Sequence, residues 1–129
     1  MSGIVWLLRD TAIAVHERLL AEFGGLAGMR DKGLLDTALR RPRQRASFGT
    51  PTVFDLAAAY AAGVVVNRPF LDGNNRLGFA LAATFLELNG QRLQAGEVDA
   101  TVRTLALAAG ALDDTGYAAW LRSNSVPLP

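Results

Sequence analysis

The stretch VVVNRPFLDGNNRLGF, Val64 to Phe79, decides how the chain is read. It places a Pro-Phe turn, an acid, a glycine, two asparagines and an arginine between two apolar segments. On the N-terminal side, Leu56–Val66 is apolar and interrupted only by Gly63, which predicts a helix from about Val53 to Val66 buried on most sides. On the C-terminal side, Leu77, Leu81, Thr84, Phe85 and Leu88 share one face of a helix starting near Asn74, which Asn89–Gly90 ends. The polar residues therefore lie in a loop leading into a helix N-terminus. Such an end, with free N–H groups and the positive pole of the helix dipole, attracts anions.

The rest of the chain reads outward from this pair. Ala12, Ile13, His16, Leu19, Leu20 and Phe23 keep helical spacing over Arg9–Phe23, and Gly24–Gly25 closes that helix. Asp31 can cap a helix through Leu34, Leu35, Ala38 and Leu39, expected to stop before Pro42. Two more helices are expected, at roughly Glu97–Gly110 and at Asp113–Arg122, the latter capped by Asp113 or Asp114 and packing Tyr117, Trp120 and Leu121 inward. Short strands are possible at Ile4–Leu7 and Gln91–Leu93. The fold class is all-α, and residues 1–129 are expected to form a single domain.

Bulk properties narrow the function. Half of the residues are hydrophobic, which excludes a disordered chain, and no apolar run is long enough for a membrane span. No leader is read at the N-terminus, and the absence of cysteine excludes disulfides and thiol chemistry, so a cytoplasmic setting is expected. A net charge of +1 gives no basis for broad nucleic-acid binding. Arg40, Arg41, Arg43 and Arg45 cluster in RRPRQR, which reads as a solvated helix end, with an anion-facing patch as the alternative. His16 reads as a core or boundary histidine of the first helix.

Within the central loop each residue has a chemical use. Gly73 lets the backbone approach a ligand. Arg76, in the first helical turn, can fork onto phosphate oxygens. Asn74 can cap the helix or donate its amide to a phosphate, and Asp72 supplies hard oxygen ligands of the kind Mg²⁺ takes. The competing interpretation is an ordinary Asp-Gly-Asn turn with a solvated arginine.

NRPFLDGNNR resembles the signature loop of the Fic/Doc family, His-Pro-Phe-x-Asp-Gly-Asn-(Gly or Lys)-Arg. AVHERLLAEFGG, GMRDKGLLDTALRRPRQ, FDLAAAYAAGVVVNRPF and TFLELNGQRL, with LALAAG and the closing AAWL, are similar to segments of the short death-on-curing (Doc) branch. The resemblance implies a compact six-helix Fic/Doc fold with the motif loop at the N-terminus of a central buried helix. It implies a toxin of a toxin–antitoxin pair that uses ATP, or another nucleoside triphosphate, with Mg²⁺ to phosphorylate a hydroxyl of elongation factor Tu. A Phd-like antitoxin is the implied partner, with no direct DNA contact and no membrane. Nucleotidyl (AMP) transfer of the Fic type and a non-catalytic nucleotide- or antitoxin-binding role are the alternatives. By the same resemblance Asp72 holds Mg²⁺, Gly73, Asn74, Asn75 and Arg76 form the nucleotide-phosphate site, and Phe70 anchors the loop.

The chain departs from the motif at two residues. Arg68 stands in the catalytic position, where the family has the histidine that takes the proton from the attacking hydroxyl. A guanidinium has no acceptor and does not deprotonate, so an inactive or impaired chain is expected. Arg68 is either an inactivating substitution, introduced or selected because a toxin is hard to produce without its antitoxin, or a natural variant. Asn75 replaces the lysine of Doc proteins or the glycine of many Fic proteins, which removes a phosphate-binding cation. Phe79 replaces a second arginine found in many nucleotidyl-transferring members, which favours the Doc branch.

Overall fold

A computed structural model describes residues 3–129. Its helices are α1 (Arg9–Phe23), α2 (Lys32–Ala46), α3 (Val53–Asn67), α4 (Asn74–Leu88), α5 (Glu97–Ala108) and α6 (Asp114–Ser123). Two three-residue strands, β1 (Gln91–Leu93) and β2 (Ser125–Pro127), pair antiparallel with Arg92 opposite Val126. The expected all-α, six-helix architecture is what forms, and the short strand at Gln91–Leu93 is present.

Helix α3 is the axis of the core. Every residue from Leu56 to Val65 is buried, as a sequence apolar on all sides requires. It packs against α2, α4 and α6. Its start is fixed by a capping box, Thr52 Oγ1 accepting from Asp55 N at 3.2 Å and Asp55 Oδ2 accepting from Thr52 N at 2.8 Å. Asp31 and Asp113 cap α2 and α6 by accepting from Gly33 N and Gly116 N, so Asp113 rather than Asp114 is the α6 cap.

Three expectations are corrected. Helix α2 does not stop before Pro42 but continues to Ala46, with Pro42 buried inside it. Proline removes the N–H that would bond the carbonyl of Ala38, four residues back. That same carbonyl faces Gly63 of α3, where a Cβ would lie 2.8 Å from it. The released carbonyl thus occupies the bare face of Gly63, and close packing of α2 on α3 sustains a helix that local preference would end. Ile4–Leu7 is not a strand: its backbone is held by side chains, Val5 N and O by the amide of Asn89 (2.8 and 3.0 Å) and Leu7 N by the hydroxyl of Tyr60 (3.0 Å). Leu88, expected to share one face of α4 with Leu77, Leu81 and Phe85, is exposed while those three are buried.

The arginine run serves the fold. Arg41 makes a two-pronged pair with Asp114 (3.0 and 3.1 Å), tying α2 to the start of α6. Arg43 lies over the Trp6 ring, while Arg45 stacks on Phe48 and donates to its carbonyl. Among the described residues no helix is long and apolar enough to cross a membrane.

Candidate functional site

The loop between α3 and α4 begins at Arg68, the C-cap of α3, which adopts left-handed backbone angles (φ 50°, ψ 62°). It is the one non-glycine residue with positive φ among the described residues. The turn lets the chain leave α3 and run beside the α1–α2 loop, with which it makes a short antiparallel bridge at Met29 and Phe70. Leu71 N donates to Gly28 O at 3.0 Å and Arg30 N to Pro69 O at 2.8 Å.

Phe70 turns from the loop into the core. Its ring is buried and stacks on His16 of α1, with centroids 3.7 Å apart and planes 16° from parallel. His16 is itself buried, and its Nε2 lies 2.8 Å from the carbonyl oxygen of Asp72. A carbonyl only accepts, so Nε2 carries the proton in this contact. The histidine is a satisfied core residue that clamps the loop from beneath.

Asn74 is placed differently from either use expected of its side chain. The amide is buried and returns to Phe70, Oδ1 accepting from Phe70 N at 3.1 Å and Nδ2 donating to Phe70 O at 2.9 Å. The α4 N-cap is Gly73, left-handed at φ 77°, with no side-chain cap bond. Asn74 can therefore offer an anion its backbone N–H, while its side chain shapes the loop. A Cβ on Gly73 would stand 3.5 Å from His16 Nε2, so the site needs glycine for its backbone angle more than for space.

The first-turn amides of α4, at Asn74, Asn75 and Arg76, have no partner within the helix. Arg76 projects beside them with its guanidinium 4.2 Å from the centre of the Phe23 ring, and it makes no salt bridge among the described residues. This leaves its planar fork open to an oxyanion. Asp72 lies on the other side of Gly73, exposed, with Oδ1 accepting from Gly73 N (2.9 Å) and Oδ2 from Leu26 N (3.3 Å). Each carboxylate oxygen keeps a free lone pair. No group of three metal-ligating side chains occurs among the described residues, so this donor set suits Mg²⁺ only where nucleotide phosphates provide further ligands, which is the usual arrangement for that ion.

Next to this cradle a groove of about 760 Å³ runs between α1, α4 and α5. Phe23, Phe79 and Leu105 give it apolar walls, and Asn75, Arg76 and Arg18 bring polar groups to its edge. The predicted residues thus divide: Asn75 and Arg76 line the groove, and Arg68, Phe70, Asp72, Gly73 and Asn74 belong to the adjoining loop. Asn75 Oδ1 is buried and has no hydrogen-bond partner among the described residues. The α1 and α5 walls, and the exposed Arg30 beside the loop, are absent from the sequence-based set. They belong to other segments of the chain, and only the tertiary fold brings them to the motif.

A model of the Fic/DOC family matches residues 6–86, which takes in α1 through most of α4 and the whole loop. The chain belongs to the Fic/DOC family. It is 43% identical over 76 residues to "Toxin Doc" of Mycolicibacterium smegmatis (strain ATCC 700084 / mc(2)155), covering 57% of this chain and 58% of that protein. It is 30% identical over 82 residues to "Protein kinase doc" of Escherichia phage P1, covering 63% of this chain and 65% of that protein. The matched region thus spans less than two thirds of each relative. Both bear out the resemblance to the Doc branch of the Fic/DOC family.

Proposed function

We propose that this Fic/DOC chain is a Doc-type toxin whose cradle takes the phosphates of a nucleoside triphosphate such as ATP, and whose scaffold supports phosphate transfer to a protein hydroxyl. Elongation factor Tu is the proposed target, a Phd-like antitoxin the partner and the cytoplasm the setting. The observation that carries the proposal is the α4 N-terminus: unpartnered first-turn amides, an unpaired arginine fork at Arg76 and an exposed carboxylate at Asp72, all on one short loop. In the reaction the target's hydroxyl oxygen forms a bond to the γ-phosphorus, the bond to the bridging oxygen breaks, and the nucleoside diphosphate leaves. Mg²⁺, when bound, neutralises phosphate charge. Asp72 would hold it, and the α4 amides with Arg76 would fix the phosphates in line with the acceptor.

The hydroxyl proton needs an acceptor, and Arg68 has none. As it stands, the chain therefore binds nucleotide and transfers phosphate poorly or not at all. A histidine at this position restores a base, worth about 10²–10⁴-fold in rate. The test is incubation of the parent and Arg68→His with elongation factor Tu and ATP, followed by intact-mass measurement. A single added phosphate on the target with Arg68→His, and none with the parent, is the expected result. An added nucleotide monophosphate would assign Fic-type transfer instead. No modification by Arg68→His, with nucleotide still bound by calorimetry, would leave a non-catalytic binding protein.

A further inference from the structure

Three consecutive carbonyls close the end of α3 and open the motif loop, and one residue bonds all of them. Arg30 Nη2 donates to Asn67 O at 3.1 Å, Arg30 Nε to Arg68 O at 2.8 Å and Arg30 N to Pro69 O at 2.8 Å. The middle carbonyl belongs to the residue held at φ 50°. A left-handed conformation is unfavourable for arginine, as for most residues with a Cβ, and persists only where surrounding contacts over-determine it. Arg30 supplies those contacts from a loop that is separate in sequence. Its planar fork spans two adjacent carbonyls, and its charge lies at the negative pole of α3.

We infer that Arg30 is a positioning residue: by tying the carbonyls of residues 67–69 it sets the left-handed backbone of residue 68 and so the direction in which the catalytic-position side chain leaves the helix. Its effect on rate rests on the transferase reading proposed above; its effect on the backbone does not. A Lys at this position keeps the charge but not the fixed fork, which separates positioning from simple charge at a helix end.

The experiment compares the parent chain with Arg30→Lys and Arg30→Gln. The HN–Hα coupling and 13C shifts of residue 68 are read by NMR, and the resonances of α5 and α6 report the fold. In the parent, residue 68 gives left-handed values, and in both variants it leaves that region while α5 and α6 are unchanged. The same changes are then made in Arg68→His, where kcat falls about 10²-fold with KM for ATP held within a factor of two, the signature of a misplaced group in a site that still binds. Retention of left-handed φ in both variants overturns the inference, as does full kcat in Arg30→Lys. If Arg68→His itself transfers nothing, the transferase reading falls and the backbone measurement still decides the role of Arg30.

Discussion

Replacing Asn74 with alanine separates two accounts of that residue. One has the side chain bind phosphate; the other, drawn from the geometry, has it hold the loop. Asn74 is 1% exposed and makes two bonds to Phe70, at 3.1 and 2.9 Å, to a residue that is itself 3% exposed. Truncation orphans the N–H and the carbonyl of Phe70 in a site closed to bulk water. Each orphaned group costs about 1–3 kcal/mol, and the gain in helix propensity from Asn to Ala offsets at most about 0.7 kcal/mol. The net expectation is a loss of about 1–5 kcal/mol. At about 2.1 cal/mol/K of unfolding entropy per residue, the 129-residue chain then melts about 5–20 °C lower. Asn74→Asp is the sharper variant, because it keeps the acceptor for Phe70 N and turns a second oxygen toward Phe70 O, so it destabilises at least as much. Urea and thermal unfolding of the protein without nucleotide read both changes directly. If Asn74→Ala unfolds within about 0.5 kcal/mol of the parent while nucleotide affinity collapses, the side chain serves the ligand and the structural account is refuted.

Two further outcomes follow from packing and burial. Gly63→Ala places a Cβ 2.8 Å from Ala38 O and 3.1 Å from Ala38 Cα, both backbone, so α2 must move away from α3. Overpacking of about 1–3 kcal/mol outweighs the roughly 1 kcal/mol that alanine gains in a helix, and the urea midpoint falls. Burial pushes the Tyr117 hydroxyl up to about 12 from 10.0, opposed by its bond to Thr104, and burial also raises Tyr60. The folded state therefore keeps its proton where the unfolded chain loses it. Stability is full below pH 10 and declines toward pH 12, by about 2–3 kcal/mol for Tyr117. Urea titrations from pH 9 to 12 check this, and Tyr117→Phe flattens the decline.

The helices are legible where caps and apolar spacing lie within the segment itself. Asp31 and Asp113 stand where caps form, and apolar spacing marks the buried faces, while the Thr52/Asp55 box is a cap that the sequence reading passed over. Where the sequence reading fails, a long-range contact has overruled a local rule. Pro42 ought to end α2, but the carbonyl it frees meets Gly63 on another helix. Ile4–Leu7 has strand-like residues, but its hydrogen bonds go to Asn89 and Tyr60. The same distinction holds in the site. The motif singles out Asp72, Gly73 and Arg76, which are neighbours in sequence, whereas the bonds of Arg30 to the carbonyls of residues 67–69 depend on the α1–α2 loop folding back on α3. The side chain of Asn74 is the exception, a miss with a local cause: its partner is the backbone of Phe70, four residues earlier.

These contacts bear on how a chain can change its catalytic position while keeping the rest of the motif. Nothing that shapes the cradle is a bond from the side chain of residue 68. The left-handed turn is tied through main-chain oxygens by Arg30, Phe70 is fixed by Asn74 and stacked on His16, and the carbonyl of Asp72 is held by His16. Substitution at residue 68 is therefore nearly independent of the anion site in structural terms. Histidine tolerates left-handed angles better than arginine does, so restoring it adds no backbone cost. In the reaction proposed, binding and chemistry rest on different groups: the loop's bracing shapes the cradle, and proton removal needs a base at position 68 on the backbone that Arg30 ties.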